Sequence, residues 1–116
     1  MKKLLLAFFV LLATVPAYAK QNTTTLKFAK GSYCTSFDGY YHNRVFNIYL
    51  LKGQALEITI DDVVDGVVVK DSKGKRLQEV GLENFNYDIK RTGNHTIKIN
   101  RASVNGGSSS IKFCAY

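Results

Sequence analysis

Beyond residue 20 the apolar positions of this chain recur with a period of two, in short bursts. Residues 54–60 are the clearest case: Leu56, Ile58 and Ile60 fall on one side, Glu57 and Thr59 on the other. That is the pattern of a strand with one buried face. Residues 86–90 repeat it with Tyr87 and Ile89, residues 95–100 with Ile97 and Ile99 around Lys98, and residues 109–115 with Ile111 and Phe113 opposite Lys112 and Cys114. Residues 44–51 are denser in apolar side chains, 67–70 are β-branched, and 25–28 form a short β-prone run.

Turn residues separate these runs. Lys52-Gly53 reads as a tight hairpin turn between its neighbours. Asp71-Ser72-Lys73-Gly74 and Thr92-Gly93-Asn94 are turns by residue type, and Asn105-Gly106-Gly107-Ser108 is a flexible connection. No helical period is visible after residue 20, and no proline follows Pro16 to interrupt a strand. Seven or eight short strands with such punctuation predict an all-β protein, an antiparallel β-sandwich.

Residues 1–19 follow a different plan. Lys2 and Lys3 precede an uncharged run over residues 4–15, then Pro16 and the small-residue stretch Ala17-Tyr18-Ala19. A bilayer-spanning helix needs about 20 apolar residues, more than this run offers. The order reads as a secretory signal peptide, residues 1–19, cleaved after Ala19. One domain, residues 20–116, would remain. With no cysteine near the cleavage point to carry a lipid, the product is expected to be soluble, in the periplasm or secreted.

Export changes the reading of the cysteines and the charge. Cys34 and Cys114 lie near the two ends of the remaining domain. In an oxidising compartment they are expected to form one disulfide. Closing about 80 residues, it would contribute about 4 kcal/mol in the chain-entropy view. Without Lys2 and Lys3, the domain carries 14 basic against 9 acidic residues, a net +5. For an exported protein this argues against nucleic acid and leaves an anionic cell-surface polymer, lipid head groups or an acidic protein patch.

Candidate chemistry is sparse. The two histidines, His42 and His95, have no neighbour at metal-ligand spacing, and no motif positions a nucleophilic serine beside them. Counting Asp61 as the first position of a calcium loop puts Val63 third and Ser72 twelfth, where a carboxylate is required. The residues give no ground for a catalytic group, a metal or a cofactor. Lys70, Lys73, Lys75 and Arg76 crowd one turn, which reads as a solvated loop that discourages edge pairing. The stretch Tyr33 to Arg44 is rich in aromatic and polar residues, and the turn-like pairs Asp38-Gly39 and His42-Asn43 make it a poor strand. Loop tyrosines give large contact area at low entropic cost, so this stretch is a candidate binding loop.

The segments FAKGSYCTSFDGYY (28–41) and NIYLLKGQALEITI (47–60) resemble the periplasmic inhibitors of g-type lysozyme. Phe28, Lys30 and Gly31, then Phe37 and Gly39, then Lys52, Gly53 and Gln54 match that family's pattern. Its later Ser-Gly-x-Tyr element appears as Thr92-Gly93-Asn94-His95, and its following arginine as Arg101. Asp38 and Thr92 stand where the family has serine, and His95 where it has tyrosine. The resemblance implies a β-sandwich that blocks the peptidoglycan groove of lysozyme with loops and performs no catalysis. It implies partner contacts by Asp38, Gly39, Tyr40, Tyr41, His42, Arg44, Thr92, Gly93, His95 and Arg101. Tyr40, Tyr41, His42, Arg44 and Arg101 are the donors expected to reach the catalytic carboxyl group. Lysozymes are commonly basic, so a net +5 offers no long-range attraction, and Asp38, Asp61, Asp62 and Asp65 would have to supply local complementarity. The chain is also similar to the β-sandwich appendage domains of secreted bacterial proteases. That likeness implies instead a module holding a cell-surface polymer through its basic turn.

Overall fold

The computed structural model describes residues 22–81 and 85–116, and the expected signal peptide lies outside them. Nine strands form two sheets, and no helix occurs among the described residues. In chain order they are β1 (Asn22–Leu26), β2 (Cys34–Tyr40), β3 (Arg44–Leu50), β4 (Ala55–Ile60), β5 (Val64–Lys70), β6 (Glu79–Val80), β7 (Phe85–Asp88), β8 (Gly93–Arg101) and β9 (Ser108–Ala115). One sheet has the order β1-β3-β8-β5, the other β2-β9-β4-β7-β6.

The period-two pattern produces this arrangement directly. Phe46, Ile48 and Leu50 of β3 and Ile97 and Ile99 of β8 are buried on the inner face of the first sheet. Leu56 and Ile58 of β4 and Ile111 and Phe113 of β9 meet them from the second. Each such side chain contributes roughly 1.5–3 kcal/mol through loss of apolar surface from water. Phe46 sits at the centre, its ring 4.9 Å from that of Phe37 and 5.3 Å from that of Phe113.

The disulfide forms between Cys34 and Cys114, which face one another across β2 and β9 with Cα atoms 4.1 Å apart. Cys114 is on the opposite side of its strand from Phe113, as its position in the alternation requires, yet it too is buried.

Several local expectations give way. The stretch expected to be a poor strand contains β2, paired with β9 along its whole length from Cys34–Cys114 to Tyr40–Ser108. Gly39 accommodates this at φ +140°, so only Tyr41-His42-Asn43 makes the turn, with Asn43 at φ +59°. Lys52-Gly53 does not close a hairpin: β3 and β4 belong to different sheets, and Gly53 donates instead to the Ile89 carbonyl at 2.9 Å. Pairing is not wholly antiparallel, because β1 starts at Asn22 and runs parallel to β3. The pair β6, with two residues, is too short to leave a periodic signal.

The chain changes sheets at every connection except that between β6 and β7. The connections therefore gather at two opposite ends. Residues 41–43, 61–63 and 102–107 lie at one, the Tyr40 end. Residues 27–33, 51–54, 71–75 and 89–92 lie at the other, the Lys52 end, and residues 76–78 run back alongside β5.

Candidate functional site

At the Tyr40 end three connections are tied together by one carboxylate. Asp62, in the β4–β5 connection, accepts the Tyr41 hydroxyl at 2.6 Å and the Gly107 N–H at 3.4 Å on Oδ2, and the Val63 N–H at 2.9 Å on Oδ1. Tyr41 N–H donates in turn to the Gly107 carbonyl at 2.6 Å. Burial first, and then the Asp62 carboxylate, push the Tyr41 phenol up to about 12. The same hydroxyl, followed by the Gly107 N–H, holds Asp62 below the usual carboxylate range.

Gly107 is buried at the centre of this knot, and its φ of +119° suits only glycine. A Cβ there would lie 2.9 Å from Tyr40 Cε1 and 3.2 Å from His42 Cβ. The absent side chain thus leaves the space in which Tyr40 and His42 stand, their rings edge to face at 6.0 Å. Arg101, at the end of β8, donates to the Tyr40 hydroxyl at 3.1 Å. Reduced solvation, then Arg101 and Lys98, hold His42 below the usual histidine range. Tyr40, Val63 (78% exposed) and Val104 (81% exposed) project to solvent from this frame.

Arg44 has a different task. Its Nε donates to the Tyr40 carbonyl at 3.0 Å, its Nη1 to Thr24 Oγ1 at 2.6 Å, and its guanidinium lies 5.0 Å over the Phe37 ring. It fastens β2 to β1 and leaves little of itself for a partner.

Of the residues implicated by sequence, Asp38, Gly39, Tyr40, Tyr41, His42, Arg44 and Arg101 come together here. Tyr41 is wholly buried, with its hydroxyl already given to Asp62, so it shapes the tip from inside. Thr92, Gly93 and His95 lie at the opposite end: nine-residue β8 separates Gly93 from Arg101 by about 27 Å. Thr92 Oγ1 accepts the Lys52 N–H at 2.9 Å. His95 faces the core, fully buried, with Nδ1 donating to the Gly93 carbonyl at 2.8 Å and no partner on Nε2. Asp62, Val63, Val104 and Gly107 were not singled out as contact residues by sequence: the failed calcium-loop pattern drew attention to the first two, and Asp62 was otherwise one of four acidic residues expected to supply local complementarity.

No three or more His, Cys, Asp or Glu side chains converge on a metal position among the described residues. What the geometry offers is a hydrogen-bonded tip carrying aromatic, apolar and cationic groups.

No protein-family model matches the sequence, and no curated protein does. Solved structures do match in fold. One is the Salmonella Typhimurium PliG, a periplasmic lysozyme inhibitor of g-type lysozyme, at a TM-score of 0.53 and 17% identity, covering 82% of this chain and 98% of that one. Another is the Aeromonas hydrophila PliG, also a periplasmic lysozyme inhibitor of g-type lysozyme, at a TM-score of 0.51 and 18% identity, covering 82% and 96%. This chain is therefore a disulfide-linked β-sandwich with the fold of those two inhibitors. At such identities the likeness is one of fold.

Proposed function

We propose that this protein is a periplasmic or secreted inhibitor of lysozyme, g-type in the first instance, that seats its Tyr40 end in the peptidoglycan-binding groove and does no chemistry itself. The supporting observation is the tip in which one carboxylate ties three connections together, on a fold shared with two g-type lysozyme inhibitors. A tip already locked loses little entropy on binding, which is where affinity between rigid partners is gained. Lysozyme cleaves its polymer with a catalytic carboxylic acid. In the tip, the Tyr40 hydroxyl accepts from Arg101 and keeps its own hydrogen to offer, and the guanidinium keeps further N–H donors. Tyr40, His42 and Arg101 are the proposed contacts, flanked by Val63 and Val104 as apolar anchors. Tyr41, Arg44 and Gly107 hold them in place. Thr92, Gly93 and His95 take no part in this reading.

Charge is distributed to suit. Asp38, Asp61 and Asp65 are exposed at the Tyr40 end, together with the basic residues Arg44 and Arg101 and with Lys98 close enough to act on His42. These exposed carboxylates offer a basic enzyme local complementarity on a protein whose net charge is positive.

The test is inhibition of muramidase activity by the purified protein. Near-stoichiometric inhibition of a g-type lysozyme is expected, with the inhibition constant rising roughly 10- to 30-fold for Tyr40→Ala or Arg101→Ala, the scale of an interface hot spot. Tyr49→Ala, at an exposed position on the outer face of the first sheet, should change nothing. Absence of inhibition against g-, c- and i-type lysozymes would overturn the proposal.

A further inference from the structure

We propose that the opposite, Lys52 end is a docking surface for an anionic phospholipid bilayer, usable while the Tyr40 end is occupied. Its connections carry Lys30, Lys52, Lys73, Lys75, Lys90 and Arg91, all exposed. The one acidic residue in those connections is Asp71, and Asp88, the last residue of β7, is exposed beside Lys52 and Lys90. Asp71 is buried and spent internally: its Oδ1 accepts the N–H groups of Lys73 and Lys75, each at 2.9 Å, and its Oδ2 lies 3.3 Å from Arg91 Nε. The turns are held against one another. Lys52 N–H donates to Thr92 Oγ1, Gly53 N–H to the Ile89 carbonyl, and Gly93 has room for no more than hydrogen, since a Cβ would lie 2.7 Å from Ser72 Cβ. The turns that carry the basic side chains are therefore held together at one end, where the exposed basic residues outnumber the exposed carboxylate of Asp88.

Two further observations favour a bilayer over a compact soluble anion. The basic residues are spread across the end, around two shallow hollows of about 230 and 340 Å³ that share Lys90, and do not converge on one enclosed site. Beside them stand exposed Tyr33 (65%), Leu51 (54%) and Tyr116 (62%), with the two tyrosine rings 6.0 Å apart. Tyrosine and leucine next to lysine are the residues that settle at a membrane interface, the apolar bodies among the head groups and the ammonium groups on phosphate. The surface is distinct from the proposed lysozyme contact, so the two readings stand or fall separately.

The test is cosedimentation of the secreted protein with vesicles rich in phosphatidylglycerol and with vesicles of phosphatidylcholine alone. Retention on the anionic vesicles only is expected, weakening as salt rises. The combined Lys52→Gln, Lys75→Gln and Lys90→Gln variant should lower the partition coefficient on the order of 100-fold, about fivefold per lysine near an anionic surface. The same variant should keep its circular dichroism and any inhibition of lysozyme. Lys112→Gln, on the outer face of the second sheet, should stay bound. Replacing Tyr33 and Tyr116 by serine should reduce the fraction retained at high salt. Equal retention on neutral vesicles, undiminished binding by the triple-lysine variant, or capture by soluble polyphosphate without capture by vesicles would each overturn the proposal.

Discussion

Strands β2 and β9 are joined at both of their ends, by different means. At the Lys52 end the link is covalent, between Cys34 and Cys114. At the Tyr40 end it is a 2.6 Å hydrogen bond from Tyr41 to the Gly107 carbonyl, reinforced by Asp62 reaching across from the β4–β5 connection. Each end also has an aspartate that gathers backbone N–H groups: Asp71 is deeply buried and paired with Arg91, whereas Asp62 is partly open and paired with a phenol. The covalent end needs no precise surface shape to persist. The hydrogen-bonded end gains its persistence from shape, because every group that holds it also positions Tyr40 and His42. A tip whose stability and outline have the same cause is suited to fitting a partner.

The widest separation of the two ends should come from replacing Cys34 and Cys114 together by serine. The loss is expected to be about 4 kcal/mol in denaturant titration, the cost of freeing a loop of this length. Inhibition per folded molecule should be unchanged, because the bond is remote from the tip. Next is Gly107→Ala. Here φ of +119° and two contacts inside 3.3 Å act together, and about 2–3 kcal/mol of stability should be lost along with inhibition. Gly31→Ala, at φ +78° with nothing within 4 Å of the new carbon, is the matched substitution at the other end. It should cost about 1 kcal/mol and leave inhibition intact. If Gly107→Ala inhibits normally, the outline of the tip is not what binds.

Tyr41→Phe removes one hydrogen bond and should cost about 1 kcal/mol. It also tests pH dependence. Asp62 and Asp71 are both held below the usual carboxylate range, the first chiefly by Tyr41, the second chiefly by the Lys75 N–H. A depressed carboxyl stabilises the fold above its ordinary pKa, and that contribution is lost as pH falls through the depressed value. Thermal melting between neutral and acid pH should therefore show a smaller decline for Tyr41→Phe than for the parent protein, and likewise for Asp71→Asn. In alkali the sign reverses. Tyr41 and Tyr87 are pushed up to about 12, so their contribution is present below pH 10 and lost as pH rises towards 12. The smallest effect is spectroscopic: Tyr41→Phe and Tyr87→Phe should each delete one late-ionising phenol from an absorbance titration.

The strand pattern was legible wherever one face was buried and the other wet, as in β4, β8 and β9, because alternation is a local signal. Pairing was not. The alternation in β3 and β4 is the same whether the two strands are neighbours or face each other across the core, and Lys52-Gly53 suits either connection. Asp38-Gly39 looked like a turn because propensity weighs the residue and ignores the seven-residue ladder with β9 that overrides it. At the tip, Tyr40, His42 and Arg101 were legible through resemblance. Asp62 and Gly107 were not, since their roles exist only once residues 45 positions apart are brought together. His95 illustrates the converse: beside a turn it looks exposed, yet as the cross-strand partner of Ile48 it must point inward.

The Cys34–Cys114 bond has a consequence for survival among proteases. Residues 41–43, 61–63 and 102–107 all lie between the two cysteines in the chain, so the backbone of the tip is an arc of a closed covalent ring. A single cut in any of these segments opens the ring without releasing a fragment. The nicked molecule stays in one piece, with its strands still in register, until a reductant or a second cut arrives.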